Sequence, residues 1–167
     1  MMRLITRTDD AVALIDGRDG RSLTYSELGQ AITARARRLA GLRGHVVFLG
    51  ADPTLESVVD LLALGAAGAT VAVLDPSTST ARLAAWQDAY RPAAVLGFRD
   101  SADVMDDGSP RDPLPESVLL PTSGSTGSAK FVRLTWAGLT ANAHQIGAAT
   151  GIAPDDRALV HLPLHFS

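Results

Sequence analysis

The sequence predicts an α/β fold: a three-layer, doubly wound, mostly parallel sheet with helices on both faces and a β-hairpin at its N-terminus. Three observations carry this. Short apolar runs alternate with stretches of helical period from His45 to Leu96. The connections between them are short, which favours parallel strands joined by helical crossovers. Near the N-terminus, two β-prone segments flank a turn rich in aspartate and glycine.

That first pair is Ala11 to Ile15 and Arg21 to Tyr25, around Asp16, Gly17, Asp19 and Gly20. Glycine supplies the positive φ that a tight hairpin turn needs. A helix follows from about Ser26 to Leu42, with Leu28, Ile32, Leu39 and Leu42 at helical spacing. His45 to Leu49 reads as a strand. Asp52-Pro53 reads as the start of the next helix, since a carboxylate caps free amides and proline fits the first turn. Its stripe is Leu55, Val58, Val59, Leu62 and Ala66, with Leu61 and Leu64 outside it, so burial on several sides is expected. Thr70 to Leu74 is a strand ended by Asp75-Pro76. Ser77 or Ser79 then caps a helix whose Leu83, Trp86 and Tyr90 share a face. Ala93 to Leu96 is another strand.

Residues 99–115 interrupt this alternation. Asp103, Asp106 and Asp107 stand there among prolines, without the spacing of a calcium loop, as expected of solvated charge on a surface connection. Beyond it, Ser117 to Leu120 and Phe131 to Leu134 read as strands around a loop. Thr135 caps a helix to about Thr150, with Leu139, Ala143 and Ile146 inward. Arg157 to Leu162 reads as a last strand.

Composition narrows the function. The chain has 167 residues, 46% of them hydrophobic, enough for a packed core. Net charge is −3, and the cluster Arg35, Arg37, Arg38 reads as a solvated helix face, so no nucleic-acid partner is expected. The absence of cysteine excludes disulfides, thiolate zinc sites and thiol nucleophiles. The longest apolar run, Leu61 to Leu74, has 14 residues, too few to span a bilayer. With no signal-peptide pattern either, no membrane partner is expected, and the cytoplasm is the expected location.

The chemistry concentrates in Thr122-Ser123-Gly124-Ser125-Thr126-Gly127-Ser128-Ala129-Lys130. Glycines let backbone amides turn toward an anion, and the hydroxyls can donate to phosphate oxygens. Lys130 is the only lysine in the chain, and a compact ammonium suits a mobile triphosphate. Two residues separate it from Gly127, so this is not the kinase and GTPase loop, which places lysine directly after the second glycine. On residue chemistry alone, phosphate binding and a plain turn rich in small residues both stand.

The string TSGSTGSAK resembles the signature loop of the adenylate-forming superfamily, which includes acyl-CoA synthetases, luciferases and nonribosomal peptide adenylation domains. That loop usually runs TSG, serine or threonine, TG, any residue, then PKG. FVRLTWAGLTANA and DDRALVHLPLHFS downstream resemble the family's following segments, and LTYSEL and VAVLDPSTSTARL upstream fit the same order. The resemblance implies the N-terminal part of the large domain of an ATP-dependent ligase, using ATP with Mg2+. It would activate a carboxylic acid as acyl-AMP, release pyrophosphate, and pass the acyl group to coenzyme A or a carrier-protein thiol. It implies nucleotide binding by Thr122, Ser123, Gly124, Ser125, Thr126, Gly127, Ser128 and Lys130.

The chain departs from the pattern in two places. Ala129 and Phe131 replace the proline and glycine that usually flank the lysine. The position where many members carry a pocket histidine is Phe166, with His165 just before it. His165 and Phe166 are therefore candidates for the acid-binding pocket, as against core residues at a strand end. The adenine, ribose and catalytic-lysine motifs of the family do not occur in these 167 residues, so no residue here is expected to be catalytic and no metal ligand is assigned. Residues 1–167 are thus expected to form one incomplete α/β subdomain, inactive alone and prone to self-association. A stand-alone nucleotide- or phosphate-binding module without catalysis is the alternative, and an inert scaffold a third.

Overall fold

In the computed structural model, the described residues are 5, 7–100, 103–105, 114–122 and 130–165. They form an α/β structure with one central sheet and a separate hairpin.

The hairpin pairs β1 (Val12–Ile15) with β2 (Ser22–Thr24), antiparallel. It forms its own two-stranded sheet, separate from the main one. Its apolar side explains this: Ala13, Leu14 and Leu23 pack onto the helical layer. At its turn Gly20 takes φ +77°, and the buried Asp16 carboxylate accepts from Arg18 Nη2 at 2.7 Å and Nε at 3.0 Å. These bonds, the Arg18 amide bond and the guanidinium charge hold the pKa of this carboxyl well below the usual carboxylate range.

Helix α1 (Tyr25–Arg38) begins with a capping box. Thr24 Oγ1 accepts from the Glu27 amide, and the Glu27 carboxylate accepts from the Thr24 amide. Leu28, Ile32, Leu39 and Leu42 are all buried, as their spacing predicts, although the helix stops at Arg38 and a 3-10 turn covers Ala40–Leu42. Helix α2 (Leu55–Ala67) starts later than Asp52-Pro53 suggests. Thr54 is its cap, accepting from the Ser57 amide at 3.1 Å, while both Asp52 oxygens lie 3.0 Å from Arg99 Nη2. Its deepest residues are Ala63, Leu64, Gly65 and Ala67, because α1 and the sheet flank it on two sides.

The main sheet holds β3 (Val46–Gly50), β4 (Thr70–Leu74), β5 (Ala94–Leu96), β6 (Val104–Met105), β7 (Ser117–Pro121) and β8 (Phe131–Thr135). Its order is β6-β5-β3-β4-β7-β8. The four inner strands are parallel, and the outer pairs β5–β6 and β7–β8 are antiparallel. β6 lies in the segment that reads as irregular connection; it is two residues long, too short for a periodic signal. β3 and β4 are buried along their whole length, as expected of parallel strands covered on both faces.

Alternate residues divide the core. Val47, Leu49, Val71, Val73 and Val118 face α1 and α2. Val46, Phe48, Ala72, Leu74 and Val95 face α3 (Thr80–Tyr90) through Leu83 and Trp86. Ser79 stands at the cap position of α3 without a side-chain bond, and the Ser77 hydroxyl donates instead to Asp75.

Helix α4 (Trp136–Thr150) is capped by Thr135, as expected. It docks through Trp136 and Leu139 only; Ala143 and Ile146, expected inward, are exposed, because the later turns extend past the packed layer. Arg157 to Leu162 is not a strand. It pairs with no neighbour among the described residues, and Leu159 is 85% exposed.

Candidate functional site

The parallel strands β3, β4, β5 and β7 all end on one edge of the sheet, the edge where open α/β sheets bind ligands. Directly after them come Asp52, Asp75, Gly97 to Arg99, and Thr122. β3 and β5 are drawn tightly together there. A Cβ on Gly50 would lie 2.7 Å from the Gly97 carbonyl oxygen, and one on Gly97 would lie 2.5 Å from that of Gly50. Gly97 also takes φ +76°. The Asp52–Arg99 ion pair closes the same gap from outside.

Between β4 and β7 the sheet behaves differently. β4 stays paired with β3 as far as Gly50↔Leu74, and β7 with β8 as far as Pro121↔Phe131. The β4–β7 register stops at Ala72↔Leu119. The chain leaves β4 through α3 toward β5, on one side, and leaves β7 for β8, on the other. The ends of β4 and β7 beyond that register do not pair with each other, and switch points of this kind are where open α/β sheets bind ligands.

Two pairs of polar residues follow these strand ends. On the β7 side, the Thr122 amide and hydroxyl both donate to the Lys130 carbonyl, at 2.9 and 3.1 Å. These bonds close the base of the loop, and the Lys130 side chain is exposed. On the β4 side, Asp75 Oδ1 accepts from the Ser77 hydroxyl at 2.6 Å and the Ser77 amide at 2.8 Å. His165 Nε2 lies 3.9 Å from Asp75 Oδ2. The Ser77 bonds, then the charges of His165 and Arg99, hold the Asp75 carboxyl below its ordinary range.

Of the predicted site residues, Thr122, Lys130 and His165 are brought to this edge. Ser123, Gly124, Ser125, Thr126, Gly127, Ser128 and Phe166 lie outside the described residues. Asp75, Ser77, Asp52 and Arg99 were not singled out as site residues. The signal was present, since each follows a parallel strand, but a strand end gains meaning only once the strand order is known.

Among the described residues, no group of three or more His, Asp or Glu side chains could hold a metal ion, and no helix is long and apolar enough to cross a membrane.

A family profile described as "AMP-binding enzyme" matches residues 3–117, ending before Thr122. The isonitrile lipopeptide synthase of Streptomyces coeruleorubidus is 34% identical over 89% of this chain and 12% of its own length. The novobiocin biosynthesis protein H of Streptomyces niveus is 32% identical over 84% of this chain and 29% of its own length. O-succinylbenzoate coenzyme A synthetase of Bacillus subtilis in complex with AMP superposes with a TM-score of 0.74 at 22% identity, covering 93% of this chain and 47% of that one. ATP-bound MatB from Rhodopseudomonas palustris gives a TM-score of 0.75 at 20% identity, over 94% and 38%. At those identities the two structures speak for the fold. The chain spans less than half the length of each of these relatives.

Proposed function

Because the chain belongs to the AMP-binding enzyme family of adenylate-forming ligases, we propose that it supplies the triphosphate grip of an ATP-dependent acid-activating site. The observation that carries this is the early end of the β4–β7 pairing, with Thr122 and Lys130 bonded to each other just beyond β7. In this reading Thr122, Ser123, Gly124, Ser125, Thr126, Gly127, Ser128 and Lys130 hold the β- and γ-phosphates. His165 and Phe166 border the carboxylic acid. Magnesium, bound with the nucleotide, would offset phosphate charge.

The reaction proposed for the whole protein has two steps. A carboxylate oxygen attacks the α-phosphorus of ATP, the bond to the β-phosphate bridge breaks, and pyrophosphate leaves. A thiol of coenzyme A or a carrier protein then attacks the acyl carbon, and AMP leaves. The chain's own share of the first step is positioning and charge stabilisation, the dominant contributions in phosphoryl chemistry. Residues 1–167 then form one part of a larger catalytic unit, without turnover by themselves.

Pyrophosphate exchange with a panel of carboxylic acids tests the reading. The complete protein should exchange with at least one acid, and the 167-residue chain with none. ATP binding without exchange in the complete protein would instead make the loop a nucleotide-binding module.

A further inference from the structure

Phe131, the residue after Lys130, is the centre of an aromatic cluster among the described residues. Its ring centroid lies 5.0 Å from that of Tyr90 and 5.9 Å from that of Trp86, both edge-on, and 6.4 Å from that of Phe48. Trp86 and Tyr90 belong to α3, which is anchored to the sheet by Leu83 at 2% exposure. Edge-to-face pairs at these separations are attractive and directional. Phe131 is also held in the β7–β8 ladder opposite Pro121. Lys130 is therefore fixed from two directions: its carbonyl by Thr122, and its successor by α3. Its ammonium is left exposed.

We propose that Phe131 is a positioning residue for Lys130. The ring, seated against Trp86 and Tyr90, fixes the strand that leaves the loop. It thereby sets the point from which the Lys130 ammonium reaches a polyphosphate. This rests on the reading of residues 122–130 as the triphosphate grip. The signature loop that this chain resembles usually has glycine at this position, which could make none of these ring contacts. An ammonium displaced by about 1 Å loses much of a charge-assisted contact, which makes the anchor functional as well as structural.

The single lysine supplies the test. Reductive methylation with 13C-formaldehyde keeps its charge and labels only Lys130 and the N-terminal amine. Titration with sodium tripolyphosphate should move the Lys130 signal to saturation in the unsubstituted chain. Phe131→Ala should need about tenfold more tripolyphosphate, while Phe131→Tyr, which keeps the ring, stays within about twofold. Thermal melting of each variant reports the fold. If Phe131→Ala fails to fold, Phe131→Leu decides: it keeps apolar bulk but lacks the ring edges, and should also titrate weakly. A folded Phe131→Ala or Phe131→Leu that titrates like the unsubstituted chain overturns the positioning role alone. A Lys130 signal that never moves overturns the triphosphate reading, and this inference with it.

Discussion

The indole of Trp136 occupies the space in which a side chain at Gly65 would begin: a Cβ there would lie 2.6 Å from Cζ2 and 2.7 Å from Cε2. Gly65 is in α2 and Trp136 opens α4, so this contact docks α4, and with it the strand leaving the loop, onto the helical layer.

Gly65→Ala should therefore destabilise the chain by about 1–3 kcal/mol, the usual range for overpacking. Gly29, inside α1, has nothing within 4 Å of its missing Cβ. Gly29→Ala should stabilise by about 0.5–1 kcal/mol through helix propensity. Urea denaturation of both variants checks this, and equal shifts of the same sign would contradict it.

Gly97→Ala should be the more damaging change at the strand ends. It places a side chain at φ +76° and 2.5 Å from the Gly50 carbonyl oxygen, which is backbone and cannot swing aside. Loss of the cooperative thermal transition is the expected outcome. A melting temperature unchanged from the parent would show that β3 and β5 need not approach so closely.

The Asp16–Arg18 pair should make stability fall in acid. The folded carboxyl is held far below its ordinary range, chiefly by the Arg18 hydrogen bonds. A depressed folded pKa contributes stability that is present above the unfolded carboxylate range, near pH 4, and is lost as pH falls below it. Asp16→Asn should lower the melting temperature at pH 7, with the difference from the parent narrowing as pH drops from about 4 to 2. A difference constant across that window would assign the residue's effect to packing alone.

Lys130→Ala in the complete protein should weaken ATP or slow pyrophosphate exchange by about one to two decades, as expected for a charge-assisted contact. Its melting temperature should hardly change, since the side chain is exposed. Lys130→Arg should recover only part of the activity, because the broader guanidinium cannot occupy the same point between phosphate oxygens. Unchanged exchange in Lys130→Ala would remove the phosphate role.

Self-association is the expected solution behaviour of this chain. Ile146, Ile152, Leu159, Val160 and Leu162 are each at least half exposed, and β8 lies at one edge of the main sheet among the described residues. Sedimentation velocity at rising concentration should show growing species. A monomer throughout would mean that this surface is tolerated.

By itself the sequence determined the parts whose signals are local. Runs such as Val46–Gly50 and Thr70–Leu74 are apolar on both faces, the pattern of strands buried inside a parallel sheet. The spacing of Leu28, Ile32 and Leu39 specifies the inner face of α1 without knowledge of its neighbours. The composition of Thr122 to Lys130 suits an anion and suits a plain turn equally, so by itself it names a candidate and no more. Tertiary structure decided whatever depends on a partner distant in sequence. Arg157 to Leu162 has strand composition, but a strand exists only where another supplies its hydrogen bonds. Asp52 resembles a helix cap until Arg99, brought beside it by the β3–β5 pairing, takes its carboxylate. Phe131 reads as one apolar strand residue until α3 crosses it with Trp86 and Tyr90. The early parting of β4 and β7 has no sequence signal, because it depends on which strands become neighbours and how far they pair.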